Sequence, residues 1–186
     1  MAIILASASP RRKELLSFIT TDFIVRISDA DESTVKELSP EETAKALAAI
    51  KGDAVSELYP DNTVISADTI VVLKDKILGK PHSREEAFSM LSSLSGQTHT
   101  VFTGVQIISN GKKTVFAEAT SVTFYPLTET EINAYIDTNE PFDKAGAYGI
   151  QGKGSLLIKE ISGDYYNVMG LPVARLARIM RENGII

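Results

Sequence analysis

Residues 98–124 read THTVFTGVQIISNGKKTVFAEATSVTF, and this stretch decides the fold class. Two strand-like runs, 98–108 and 113–124, flank Asn110-Gly111, a dipeptide typical of a tight hairpin turn. The rest of the chain alternates apolar strand-like runs with segments of helical periodicity. An antiparallel hairpin within such an alternation predicts an α/β fold with a mixed sheet, without the strict repetition of a doubly wound fold.

Cap and turn residues divide the rest of the chain into elements. Three capping-box patterns predict helices that end near Leu58, Gly96 and Asp137; they begin at Ser39-Pro40-Glu41-Glu42, Ser83-Arg84-Glu85-Glu86 and Thr128-Glu129-Thr130-Glu131. Strands are predicted at 2–6, 22–27, 64–73 and 155–161, with further helices at 10–18 and from Pro172 to Gly184. No linker-like stretch separates two halves. We therefore expect one domain over 1–186, a mixed twisted sheet flanked by helices.

Composition excludes several classes of protein. The chain has 186 residues, 44% hydrophobic and 23% charged, which is ordinary for a globular domain. The net charge of −5 argues against broad nucleic-acid binding, and the absence of cysteine excludes disulfides and thiol catalysis. No run approaches membrane-spanning length, and the first residues lack the pattern of a secretion signal. We expect a cytoplasmic protein with no nucleic-acid partner and no membrane insertion.

The stretch Ser7-Ala8-Ser9-Pro10-Arg11-Arg12-Lys13 has the features of an anion site. Ser9 can cap a helix whose first turn accepts Pro10, and the free amides at such a helix start favour an anion. Arginines in this turn have the wrong sign for the helix dipole, so they need another reason to be there. A bound phosphate would supply that reason. The alternative is a surface helix with stray basic residues.

Two charged residues lie in apolar surroundings. Asp68 interrupts the run from Val64 to Leu73, where a carboxylate must be hydrogen-bonded, paired or metal-bound unless the strand ends there. Lys51 falls on the apolar stripe of the helix that starts at Pro40. It either neutralises a phosphate oxygen or extends its amine to solvent.

Three further segments offer weaker signals. Asp29, Asp31 and Glu32 form an acidic cluster whose oxygens suit Mg²⁺ or Mn²⁺, although such loops are usually only solvated. Lys80 follows a predicted hairpin and could present another amine. The glycine-rich segment 143–152 lets the backbone approach a ligand closely, and Gln151 can both donate to and accept from a base edge. The same segment is equally well a tight connecting loop.

Taken in order, these motifs resemble one family. They are Ser-x-Ser-Pro-Arg-Arg at 7–12, Asp31-Glu32, Lys51, Ala67-Asp68-Thr69, Lys80-Pro81, Thr103-Gly104, the segment 143–152 and the segment 163–172. Together they are similar to the Maf family of septum-formation-associated nucleoside triphosphate pyrophosphatases, over nearly the whole chain. One position differs, because Gly52 stands where alanine is more usual. We expect that glycine only to soften its helix, by about 1 kcal/mol.

The resemblance implies a fold like that of inosine triphosphate pyrophosphatases, with a cleft between two lobes. It implies cleavage of dTTP or UTP to the monophosphate and pyrophosphate by a homodimer that uses a divalent cation, Mg²⁺ or Mn²⁺. The catalytic aspartate falls on Asp68, and Glu32 joins it as a metal ligand. Substrate-binding positions fall on Ser7, Ser9, Arg11, Arg12, Lys51, Thr69, Lys80 and Gln151, and Arg11, Thr69 and Gln151 are those that set specificity.

The sequence leaves other functions open. A nucleotide-binding regulator of cell division with little turnover needs much of the same site. A pyrophosphatase that removes modified nucleotides from the pool needs all of it. A carboxylate beside a phosphate favours catalysis, because binding alone does not need one.

Overall fold

The computed structural model describes residues 2–35 and 38–186. Its strands are β1 (Ile3–Ala6), β2 (Phe23–Arg26), β3 (Thr63–Leu73), β4 (Lys76–Leu78), β5 (Thr98–Ser109), β6 (Lys112–Phe124) and β7 (Ile158–Ser162). Its α-helices are α1 (Pro10–Ser17), α2 (Pro40–Leu58), α3 (Arg84–Leu94), α4 (Glu129–Ile136), α5 (Tyr165–Met169) and α6 (Val173–Glu182). The strands form a seven-stranded mixed sheet in the order β2-β1-β3-β5-β6-β7, with β4 paired to β3. The predicted α/β class with a mixed sheet is confirmed.

The chain divides into two compact units. The first comprises the described residues up to Thr69 together with Thr103–Glu118 and Gly170–Ile186, and the second comprises Ile70–Phe102 and Ala119–Met169. Strands β3, β5 and β6 therefore supply residues to both units. The expectation of a single domain and of a cleft between lobes stays a prediction.

In the first unit, β1 runs parallel to both β2 and β3. Right-handed crossovers from β1 to β2 and from β2 across to β3 run in opposite directions, so α1 and α2 lie on opposite faces of the sheet. A small apolar core forms where α2 meets the strands; it contains Ile4, Ala6, Val55, Val64 and Ile108.

Helix α2 packs closely against the backbone of this sheet. Ser66 Oγ donates to Ala48 O at 2.7 Å, and a Cβ on Gly104 would overlap the backbone of Ala44 and Lys45. A Cβ on Gly52 would likewise overlap Gln106 Oε1 and Ser66 Oγ. The expectation that Gly52 only softens its helix is therefore wrong, because the missing side chain makes room for β5 and β3.

The second unit has its own core of large apolar side chains. Leu91, Leu94, Val122, Phe124 and Ile136 are fully or almost fully buried there. The predicted turn after β3 is present, with Lys74 and Asp75 at φ 48° and 65° before the antiparallel strand β4.

One strand boundary was predicted wrongly. The strand expected at 155–161 is β7, Ile158–Ser162, and a 3₁₀ helix at Gly152–Leu157 precedes it. Ser155 Oγ closes that turn by donating to Gly152 O at 2.7 Å, and Leu156 remains exposed. An apolar run predicted a strand here, but glycines at 152 and 154 permit the tighter turn.

The helix starts follow the capping signals. Ser39 and Thr128 form complete capping boxes with Glu42 and Glu131. Ser83 Oγ accepts from Glu86 N, as in a capping box. The Glu86 carboxylate accepts from His82 N, whereas in a capping box it would accept from the backbone N–H of Ser83.

Candidate active site

The candidate site begins where β1 ends. Ala6, the last residue of β1, pairs with Ser66, so β3 continues beyond its neighbour and Asp68 lies two residues past the end of β1. Ligands of α/β sheets bind outside the carboxyl ends of strands, at the point where successive connections turn in opposite directions. Strand β1 is such a point, because the connection from β1 to β2 contains α1 and the return connection from β2 to β3 contains α2, on the opposite face.

The two serines of the first motif organise the start of α1. Ser9 caps the helix, and its hydroxyl accepts from Arg12 N at 3.4 Å. The buried hydroxyl of Ser7 accepts from Ser9 N at 3.2 Å. Each hydroxyl accepts in these bonds and keeps its own proton to donate, which suits a phosphate oxygen. The predicted capped helix start is confirmed, whereas the binding role of both serines stays a prediction.

Three charged side chains meet on the α2 face of the sheet. Lys51 Nζ lies 2.5 Å from Asp68 Oδ1 and 3.0 Å from Glu32 Oε1. The side chains of Lys51 and Asp68 are only 18% and 14% exposed, so this pair is well shielded from water. The structure thus brings three predicted site residues together, and Asp68 lies within β3, not at a strand end.

Glu32 reaches this cluster from a short 3₁₀ helix, Glu32–Thr34. Asp31 caps that helix, with its Oδ1 accepting from Ser33 N at 3.0 Å. Hydrogen bonding from the Ser33 side chain, and then from its backbone N–H, lowers the pKa of the exposed Asp31 carboxyl. Asp31 therefore acts locally on the loop, and Glu32 is the member of the acidic cluster that faces Asp68 and Lys51.

The two carboxylates fit a divalent cation. Both have an oxygen within 3.0 Å of the same ammonium nitrogen, so they converge on one point and supply the hard oxygen ligands that Mg²⁺ and Mn²⁺ accept. Among the residues that the structure describes, no group of three or more His, Cys, Asp or Glu side chains could hold a metal. One or two carboxylates completed by substrate phosphates is a usual arrangement for Mg²⁺.

Arg12 lies on the opposite face, among protein acceptors. Its Nε donates to Gly170 O at 2.8 Å, its Nη2 to Thr69 Oγ1 at 3.0 Å and its Nη1 to Ser7 Oγ at 3.4 Å. Burial lowers the pKa of this guanidinium, while the charge of Asp68 opposes that shift. The structure thus gives Arg12 internal partners, and its predicted contact with a phosphate stays a prediction.

Two predicted residues lie in the second unit and are exposed. Lys80 follows β4, and Gln151 precedes the 3₁₀ helix at Gly152–Leu157. Gly146 N donates to Gly79 O at 2.9 Å, so the segment with Lys80 and the glycine-rich loop with Gln151 are joined within this unit.

The same loop contributes Tyr148 to a buried aromatic cluster. His99 Nε2 and Tyr148 Oη are 2.7 Å apart, and both rings meet Phe124 edge to face. Burial lowers the pKa of His99 to about 4 and raises that of Tyr148. His99 is therefore a structural hydrogen-bonding residue of the second unit.

Comparison with known proteins decides the family. A family model described as Maf-like protein matches residues 2–183. The chain belongs to the Maf family. Among its relatives, this Maf protein is 51% identical over 183 residues to a dTTP/UTP pyrophosphatase of Bacillus velezensis, covering 98% of this chain and 97% of the relative. It is also 51% identical over 180 residues to a dTTP/UTP pyrophosphatase of Bacillus cereus, covering 97% and 94%.

Solved structures show the same fold for this Maf chain at low sequence identity. A HAM1 protein from Coxiella burnetii matches with a TM-score of 0.54 and 13% identity, over 97% of this chain and 98% of the other. The Staphylococcus aureus Ham1 protein matches with a TM-score of 0.50 and 18% identity, over 67% and 72%. The expected inosine triphosphate pyrophosphatase-like fold is confirmed.

Sequence reasoning did not assign a role to two residues around Arg12 in this Maf protein. Gly170 has φ 116° and accepts from the arginine, and the buried Thr103 hydroxyl lies 2.9 Å from Thr69 Oγ1. Both belong to segments that carried the family resemblance, so the motifs marked these positions without indicating what they contact.

Proposed function

We propose that this protein hydrolyses nucleoside triphosphates, dTTP and UTP among them, to the monophosphate and pyrophosphate. The cluster of Lys51, Asp68 and Glu32 carries the proposal, because it places one oxygen of each carboxylate within 3.0 Å of the same ammonium nitrogen, beyond the end of β1. The names of the Bacillus relatives support the choice of nucleotides.

The reaction is the attack of water on the α-phosphorus. A bond forms from the water oxygen to phosphorus, and the bond from phosphorus to the bridging oxygen breaks, so that the electron pair leaves on pyrophosphate. Protein groups accelerate such transfers chiefly by positioning the reactants and neutralising charge. In this proposal, phosphate oxygens are held by the amides that begin α1, the hydroxyls of Ser7 and Ser9 and the guanidinium of Arg11.

Lysines neutralise the leaving group. Lys51 lies beside Asp68, and the family resemblance supports a second ammonium from the exposed Lys80. Glu32 and Asp68 would hold a divalent cation, which would add charge neutralisation and lower the pKa of a water bound to it. An aspartate that binds a cation is a poor proton acceptor. Asp68 therefore orients the attacking water, and the proton of that water passes to Asp68 itself or to solvent.

The residues proposed to set specificity select the base. The amide of Gln151 can accept from N3–H of uracil or thymine while donating to O4, and cytosine presents the reverse pattern. A site fixed in this way leaves buried polar groups unpaired against cytosine, which is a large penalty. Arg11 and Thr69 complete the proposed specificity set.

A substrate panel with matched variants tests this function. Values of kcat/KM for dTTP, UTP, CTP and 7-methyl-GTP should favour the first two, and pyrophosphate should be the second product. Asp68→Asn should abolish turnover without loss of fold, while Asp137→Asn, in an exposed ion pair with Arg84, should change little. A preference for CTP would refute the role of Gln151, and an active Asp68→Asn protein would refute that of Asp68.

Two alternative functions remain proposals and can be tested with the same assay. A cell-division regulator that binds nucleotides should release almost no pyrophosphate with either Mg²⁺ or Mn²⁺. A house-cleaning pyrophosphatase should turn over modified pyrimidine triphosphates faster than dTTP. The paired carboxylates favour hydrolysis over binding alone, and the same panel extended to modified nucleotides separates the remaining two.

A homodimer and a cytoplasmic location are proposed on the family resemblance alone. Light scattering of the purified protein tests the first, and fractionation of cells tests the second. None of the described helices has the length and apolar character needed to cross a membrane.

A further inference from the structure

The guanidinium of Arg12 joins three segments that are distant in sequence. Its bonds reach Ser7 after β1, Thr69 in β3 and Gly170 before α6, with Thr69 and Gly170 lying 57 and 158 positions away. All three nitrogens donate to the protein, and the acceptors come from three directions. A side chain that binds a ligand from solvent does not need this arrangement, whereas an internal tie does.

The backbone conformation at Gly170 presents its carbonyl to Arg12. The φ of 116° lies in the region that favours glycine, whereas a Cβ there would make only ordinary van der Waals contact with Thr69 Oγ1 and Arg12 Nε. The positive φ, and not a lack of space, therefore favours glycine at the position whose carbonyl accepts from Nε. Thr69 extends the network further, because its hydroxyl lies 2.9 Å from that of the fully buried Thr103 in β5.

This network holds β3 at the residue next to Asp68. Successive side chains of a strand point to opposite faces, so Asp68 meets Lys51 of α2 while Thr69 meets Arg12 of α1. The same two residues of β3 are thus held from both faces of the sheet. A shift at Thr69 moves the Asp68 carboxylate with it, because the two share one peptide unit.

We propose that Arg12 is a positioning residue, which acts through Thr69 and Gly170 to fix the backbone of β3 at Asp68. Its burial and its compensation by the charges of Asp68 and Glu32 fit an internal group. The inference rests on the proposed function for its kinetic readout, since Asp68 must act on a substrate. It replaces the phosphate contact first expected of Arg12.

Arg12→Lys and Thr69→Val, alone and combined, test this role. Arg12→Lys keeps the charge but loses the three-way geometry, so we expect kcat to fall by about tenfold to a hundredfold, the loss that a displacement of about 1 Å can cause. Inhibition by inorganic pyrophosphate should change by less than about twofold, because its contacts remain. The double variant should be no slower than the slower single variant, because both remove one connection.

A phosphate ligand predicts the opposite result. Arg12→Lys would then weaken inhibition by pyrophosphate about tenfold or more, and the losses in the double variant would multiply. Either outcome overturns the proposal. Arg178→Lys, the same change at an exposed arginine of α6, is the matched control and should leave every parameter unchanged.

Urea unfolding of the wild type, the two single variants and the double variant distinguishes failure of the proposed function from failure of the positioning role. The tie predicts that the stability losses of Arg12→Lys and Thr69→Val couple, so that the double variant loses less than the sum. A wild-type protein without any nucleotide hydrolysis refutes the proposed function, and coupled unfolding would still support the tie. An active wild type with additive unfolding and multiplying kinetic losses refutes the tie alone.

Discussion

Replacing Gly52 by alanine separates helix propensity from packing. Propensity alone predicts a gain of about 1 kcal/mol for Gly52→Ala in the interior of α2. The structure predicts a loss, because the new Cβ would overlap Gln106 Oε1 and Ser66 Oγ, and both residues are almost completely buried. Relief requires these side chains or the helix to move.

The cost follows from what must move. Gln106 Nε2 donates to Asp53 Oδ1 at 3.0 Å and Ser66 Oγ to Ala48 O at 2.7 Å, and weakening one such bond costs about 1 kcal/mol. Overpacking adds about 1–3 kcal/mol. After subtraction of the propensity gain, we expect Gly52→Ala to lower the free energy of unfolding by about 2 kcal/mol, or the melting temperature by about 4–8 °C.

Urea unfolding measures this change as a shift in midpoint at constant slope. Combination with Gln106→Ala is the internal control, because shortening that side chain removes the closest overlap. The cost of Gly52→Ala should then fall by about 1 kcal/mol or more. A single variant that is about 1 kcal/mol more stable than wild type would refute the packing argument and restore the view that Gly52 only softens α2.

Three further predictions concern stability. Burial lowers the pKa of His99 from 6.5 to about 4, so between these pH values the unfolded chain binds a proton that the folded protein does not bind. The contribution of neutral His99 to the free energy of unfolding is therefore fully present above pH 6.5, and about 2 kcal/mol of it is lost by pH 5. Urea unfolding at a series of pH values should show that His99→Gln removes this part of the pH dependence. Equal slopes of unfolding free energy against pH for wild type and variant would contradict this prediction. Gly104→Ala should lower the melting temperature far more than Gly79→Ala, because a Cβ meets the α2 backbone at Gly104 and nothing within 4 Å at Gly79. Ser39→Ala should cost about 1 kcal/mol in chemical unfolding through loss of the α2 cap, and no change would show that the cap contributes nothing.

Local signals predicted most of the elements. The turn at Asn110-Gly111 adopts φ of 50° and 75°, as a tight hairpin requires, and the caps at Ser9 and Thr128 start α1 and α4. These features depend on residues a few positions apart, so a sequence pattern can report them. The start of β7 was missed because apolar side chains at 156–158 suit a strand and a tight turn equally well.

Contacts between distant segments could not be predicted in the same way. Asp68 and Lys51 were singled out because a charge in an apolar run needs a partner, and the structure pairs them. The partners of Arg12 and the packing around Gly52 depend on the register of β3 and β5 against the helices. Neither a charge pattern nor helix propensity contains that register, so local rules could not predict these tertiary contacts of Arg12 and Gly52.

Hydrolysis of UTP in water labelled with the heavy oxygen isotope tests the central claim most directly. Attack on the α-phosphorus places the label in UMP and leaves pyrophosphate unlabelled, and Asp68→Asn should abolish formation of both products. Label in pyrophosphate, or formation of UDP and inorganic phosphate, would contradict attack at the α-phosphorus and with it the account of the site around Asp68.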